Sequence, residues 1–98
     1  MDQPFRDYNE TDILYLLMTY VNFSSGQDMY YSIAKTILTH LEQIPSISIN
    51  DLAELCYTSP ATISRFCKDL NCRNFATFKK EMAIALEIAH DEIHFSFD

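Results

Sequence analysis

The stretch TSPATISRFCKDL, residues 58–70, reads as a short helix that carries its own start signal. Ser59 is a preferred N-cap residue. Pro60 suits the first helical position, where its missing N–H is not needed and its fixed φ fits the first turn. From there Ile63, Phe66, Cys67 and Leu70 recur at helical spacing and form a stripe for burial. At about 100° per residue the opposite side carries Ala61, Arg65 and Lys68, flanked by Thr62 and Ser64.

A second short helix precedes it. Ser48 can cap that helix, with Asp51 three positions on, and Ile49, Leu52, Ala53 and Cys56 make its inner stripe. Residues 57–59 join the two. Two short helices linked by so tight a turn, with small Ala53 where they cross, form a helix-turn-helix over about residues 48–70. The outer face of its second helix suits entry into the DNA major groove. Its short and hydroxyl-bearing residues let the helix approach the bases, and Arg65 can fork onto guanine O6 and N7. The candidate DNA-binding set is Ser48, Ser59, Pro60, Ala61, Thr62, Ser64, Arg65, Lys68 and Arg73. Ser59 serves first as a cap and second as a phosphate contact. Lys79 and Lys80 raise the same question as Arg73: each either touches the DNA backbone or solvates the last helix.

Working outward, the remaining elements are helices too. The first is expected from Asn9, in a capping box with Asp12, to about Asn22. Ile13, Leu14, Leu16, Leu17, Tyr20 and Val21 make its apolar band wider than one small core requires. Either a second copy of the chain covers part of it, or this chain's own helices cover both faces. SSGQD, residues 24–28, forms a loop. Tyr30, Ile33, Ala34, Ile37, Leu38, Leu41 and Ile44 then mark a second helix, ended by Pro45. A last long helix follows Asn74 with Phe75, Phe78, Met82, Ala85, Leu86 and Ala89 inward. Its end, EIHFSFD, lacks a capping signal and is expected to fray. The expectation is an all-α, five-helix domain, consistent with one Gly and three Pro in the whole chain.

Ninety-eight residues, 48% hydrophobic, suffice for one compact domain over residues 1–98. No apolar run approaches the roughly 18 residues of a membrane span, so a cytoplasmic protein without membrane attachment is expected. Cys56, Cys67 and Cys72 are odd in number and lack CxxC spacing, which reads as buried free thiols. The formal net charge is -7. Within residues 59–80, however, Arg65, Lys68, Arg73, Lys79 and Lys80 face only Asp69, giving +4 there and leaving -11 elsewhere. Screening acts over about 8 to 10 Å, so a local basic face can meet DNA while the distant acidic surface weakens non-specific attachment.

HDEIH, residues 90–94, places two histidines four apart on one helical face. It departs from the zinc-hydrolase pattern H-E-x-x-H because Asp91 stands in the place of the catalytic Glu and no clear third ligand follows. His40 reads as a surface residue. Neither an enzyme, a cofactor nor a metal site is expected.

The run SINDLAELCYTSPATISRFCKDLNCRNFATFKKEM, residues 48–82, resembles the N-terminal DNA-binding domain of RpiR-type (MurR/RpiR) bacterial transcriptional regulators. The similarity lies in SI..LAE, SPATISRF, the K.L that follows and F..FK; the helix over residues 30–44 looks like the family's preceding helix. The resemblance implies binding to double-stranded DNA, with residues 60–70 as the reading helix. Control of genes for sugar or phosphosugar metabolism is expected with it, and binding as a homodimer is expected, with the first helix as the candidate for part of the self-association surface. Such regulators usually continue into a sugar-isomerase-type domain that binds a phosphosugar effector. These 98 residues leave no room for that domain, so the chain is expected to be an excised domain or a short relative. The alternative is an adaptor that binds proteins on a helix-turn-helix scaffold. Three departures from the family pattern stand out. Tyr57 occupies a turn position that is commonly Gly, which suggests a slightly different turn. Thr58 replaces an apolar residue. Asn71 and Asn74 replace two later glycines, and Asn preserves helix termination.

Overall fold

The computed structural model describes residues 13–23 and 28–97, with side chains on the last helix as far as residue 87. The proposed capping box of Asn9 and Asp12 and the loop residues 24–27 lie outside the described residues. So do the side chains of Ala89 and of HDEIH.

Five α-helices and one 3-10 helix make up the described chain: α1 (Ile13–Phe23), α2 (Met29–Thr39), the 3-10 helix (Leu41–Ser46), α3 (Ile49–Leu55), α4 (Pro60–Asp69) and α5 (Phe75–Phe97). α1 packs along α2 and α3 against α4; α5 lies across the 3-10 helix and reaches α1 and α4. Every element contributes to one core, in which Leu17, Ile33, Ile37, Ile44, Leu52, Ile63, Phe66, Phe78 and Met82 are fully buried. Burying a side chain of this size stabilises the fold by about 1.5 to 3 kcal/mol. No described helix is long and apolar enough to cross a membrane.

The helix expected over residues 30–44 is two elements. α2 stops at Thr39 because His40 leaves helical geometry, with φ -130° and ψ 38°, and its N–H turns back to the Ile37 carbonyl. Its ring is not simply solvated: Nδ1 sits 2.8 Å from the Thr36 carbonyl oxygen and 3.1 Å from Thr39 Oγ1. Pro45 lies inside the following 3-10 helix rather than just past a helix end. In an α-helix its ring would strike the carbonyl four residues back, and the tighter 3-10 path avoids that while carrying Ile44 into the core.

The band on α1 is largely covered from within the chain. Ile13 and Leu17 are buried, and Leu14, Leu16, Tyr20 and Val21 pack against the core, while Tyr15, Met18 and Phe23 stay exposed. On α5, Phe78 and Met82 are buried and Phe75, Ala85 and Leu86 half-buried. α5 remains helical to Phe97 in spite of its missing cap signal.

α3 and α4 end alike, each in a Schellman motif. At the end of α3, Thr58 N–H bonds to the Ala53 carbonyl and Tyr57 N–H to that of Glu54. At the end of α4, Cys72 N–H bonds to the Cys67 carbonyl and Asn71 N–H to that of Lys68. The motif needs a left-handed residue, supplied by Asn71 at φ 67° and by Tyr57 at φ 57°. The turn therefore keeps its left-handed geometry with a tyrosine in place, at a cost of about 1 to 2 kcal/mol, because the two backbone bonds hold it. Asn74 does a different job: its Oδ1 accepts the Thr77 N–H at 2.8 Å and so caps α5.

Candidate nucleic-acid interface

α4 is built from both sides of its sequence pattern. On its inner face Ile63, Phe66, Cys67 and Leu70 are buried. Phe66 is gripped by two tyrosines: its ring centroid lies 5.1 Å from that of Tyr30 and 5.7 Å from that of Tyr20. Burial, and then the nearby Asp69 carboxylate, push the Tyr30 phenol above its ordinary pKa, so the group stays a neutral donor beside that carboxylate. All three cysteines are free and buried. Burial pushes Cys67 up to about 12 and Cys72 up to about 11, which marks them as packing groups rather than nucleophiles.

The outer face of α4 is a polar line. Ser59 Oγ accepts the Thr62 N–H at 3.2 Å, so the cap forms, with Pro60 behind it. The Ser59 and Thr62 hydroxyl oxygens are 3.1 Å apart, and Arg65 Nη2 donates to Thr62 Oγ1 at 3.4 Å. This line holds the Arg65 guanidinium along the helix, with most of its donors unused. Ser59, Pro60, Ala61, Arg65 and Lys68 are exposed, and Thr62 and Ser64 half-buried. At the neighbouring helix, exposed Ser48 accepts the Asp51 N–H at 3.0 Å and caps α3. Ala53, 2% exposed, lets α4 cross close above α3.

The structure separates the cations that the sequence left together. Lys68, Arg73 and Lys80 are exposed and make no side-chain hydrogen bond or ion pair among the described residues. Lys79 is engaged: its Nζ donates to the Ile47 carbonyl at 2.9 Å and lies 5.2 Å from the Phe75 ring centroid. Nothing in the spacing of residues reveals that bond, because it spans 32 positions of sequence. The tyrosine grip on Phe66 was equally hidden, although Tyr20, Tyr30 and Phe66 each stood on an apolar stripe. Among the described residues no group of three His, Cys, Asp or Glu side chains could hold a metal ion.

Comparison with known proteins gives the same outline. The family described as "Helix-turn-helix domain, rpiR family" matches residues 27–90. An uncharacterised HTH-type transcriptional regulator of Caldanaerobacter subterraneus subsp. tengcongensis is 39% identical over 54 residues. That alignment takes in 55% of this chain and 19% of the relative, so the chain matches only a small part of the relative's length. No solved structure matches significantly.

Proposed function

Because this chain belongs to the rpiR family of helix-turn-helix domains, we propose that it is the DNA-binding unit of a bacterial transcriptional regulator and reads the major groove with α4. The observation that carries the reading is the ordered polar face of Ser59, Thr62 and Arg65, continued by exposed Lys68. Arg65 is assigned to base recognition, where a fork of N–H donors matches guanine. Ser48, Ser59, Lys68 and Arg73 contact phosphates and set the register, while Pro60, Ala61, Thr62 and Ser64 make up the close-fitting part of the helix. The regulator acts in the bacterial cytoplasm as a homodimer and controls genes of sugar or phosphosugar metabolism. A phosphosugar effector would act through a domain outside these residues. Dimerisation uses the exposed side of α1, where Tyr15, Met18 and Phe23 remain uncovered.

The test is selection of fragmented bacterial genomic DNA on the purified domain at about 50 and 150 mM salt, with Arg65→Ala in parallel. A roughly palindromic motif enriched by the wild type and lost in the variant is the expected result. If DNA is recovered by neither the domain nor a form fused to a dimerisation tag, the DNA reading fails, and a protein-binding adaptor on the same scaffold takes its place.

A further inference from the structure

The five cations of residues 59–80 look equivalent in sequence, yet one of them is turned inward. The Lys79 ammonium, half-buried on the first turns of α5, donates to the Ile47 carbonyl at 2.9 Å and rests near the face of the Phe75 ring. Ile47 is the residue before Ser48, the cap of α3. One of the three ammonium donors is committed to this carbonyl and the ring lies against the group, so Lys79 is held at the start of α3 rather than extended into solvent like Lys68, Arg73 and Lys80.

The bond has a second effect, through peptide geometry. The Ile47 C=O and the Ser48 N–H belong to one planar unit, and in a trans peptide they point in opposite directions. Anchoring the oxygen on α5 therefore sends the Ser48 N–H away from α5. That N–H has no acceptor among the described residues, and Ser48 itself is exposed. The Ser48 hydroxyl oxygen accepts the Asp51 N–H, which leaves its own proton free to donate. Two uncharged donors on one exposed residue, the N–H aimed by a fixed peptide plane and the hydroxyl oxygen held by the Asp51 N–H, match what a phosphate oxygen requires; backbone N–H groups and serine hydroxyls supply many such contacts.

We infer that Lys79 is a positioning residue of the DNA interface: it makes no contact with DNA itself, and its bond to the Ile47 carbonyl aims the Ser48 N–H at a backbone phosphate, beside the hydroxyl whose oxygen the Asp51 N–H holds. The inference rests on the DNA-binding reading above.

The experiment measures binding of the folded domain, well below its melting temperature, to a duplex recovered in the genomic selection, across about 50 to 200 mM salt. Lys79→Met keeps the aliphatic stem and removes the charge. It is expected to lower affinity roughly three- to tenfold at every salt concentration, the equivalent of about one hydrogen bond, and to leave the slope of log affinity against log salt unchanged. Lys68→Ala serves as the contrast and should flatten that slope by about one unit. Ser48→Pro removes both donors at a φ of -82°, which proline tolerates, and should cost a similar factor. In the double variant, Lys79→Met should add less than about twofold to the loss caused by Ser48→Pro, because both act on one contact. A flattened slope for Lys79→Met would show direct contact and overturn the inference. Unchanged affinity, or additive losses in the double variant, would overturn it too. If Lys79→Met does not fold, Lys79→Gln carries the same slope test with the same two outcomes. Failure of the wild type to bind any DNA would sink the parent reading, whereas wild-type binding that Lys79→Met leaves intact sinks this inference alone.

Discussion

The ring of Phe66, on the inner face of α4, meets the ring of Tyr30 on α2 edge-on, with 5.1 Å between centroids and 78° between planes. Tyr20 of α1 closes the trio, 6.0 Å from Tyr30. The helix that presents the outer polar line is thus fixed by aromatic contacts from two helices outside the helix-turn-helix. Edge-to-face pairs contribute about 0.5 to 1.5 kcal/mol beyond the area they bury. Phe66→Ala should therefore cost about 3 to 5 kcal/mol in urea unfolding, with Phe66→Leu falling between it and the wild type.

Arg65 and Lys68 sit on one face of α4 and should fail differently. Arg65→Ala should cost about 1 to 3 kcal/mol on the preferred sequence and relax base preference, because a forked donor is lost from a base edge. Lys68→Ala should weaken binding to all sequences by a similar factor. Competition titrations with matched and scrambled duplexes separate the two. Equal losses on every duplex for both variants would contradict the division.

The left-handed tyrosine at the end of α3 makes an unusual stability prediction. Tyr57 is 94% exposed, so truncating it sacrifices little packing, and glycine reaches φ 57° without strain. Tyr57→Gly should stabilise the domain by about 1 kcal/mol. Asn71→Ala, at the matching position after α4, should destabilise it by about 1 kcal/mol, since Cβ crowding then lacks the tolerance of Asn. Paired thermal melts of the two variants would show opposite signs.

The thiols of Cys67 and Cys72 bear on pH. Their folded pKa values, about 12 and about 11, lie above the 9.0 of an exposed thiol. The folded state therefore holds protons that the unfolded state releases. Stability linked to these groups is complete below pH 9 and is lost as pH rises from there through about 11 to 12. Tyr20 and Tyr30, both raised above 10.0, act in the same sense at higher pH. Urea midpoints should fall steadily above pH 9, and less steeply in a Cys67→Ala/Cys72→Ala variant. At pH 8 an aromatic disulfide reagent should label none of the three thiols until the protein unfolds.

On α1, Met18 is the informative position for self-association. It is half-exposed, whereas Leu17 beside it is fully buried, so Leu17→Arg would unfold the domain whatever its oligomeric state. On the proposed homodimer, Met18→Arg should leave the circular dichroism spectrum and the melting temperature nearly unchanged while shifting sedimentation from dimer to monomer. Unaltered dimerisation in Met18→Arg would remove α1 from the interface.

The sequence by itself determined the helical class, the helix-turn-helix and the outer face of α4. These features rest on local signals: caps at Ser48 and Ser59 bond backbone groups three residues away, and the 3.6-residue period assigns Ile63, Phe66, Cys67 and Leu70 to one side. Tertiary structure decided where local preference was weak or misleading. It ended α2 at Thr39, since the 3-10 path past Pro45 is what brings Ile44 into the core. It held Tyr57 in a conformation that tyrosine alone disfavours, because the hydrogen bonds to Ala53 and Glu54 outweigh the steric cost. It also distinguished Lys79 from the other cations. An ammonium group finds its partner by proximity in space, and residue 47 comes within reach of residue 79 only once α5 has packed across the 3-10 helix.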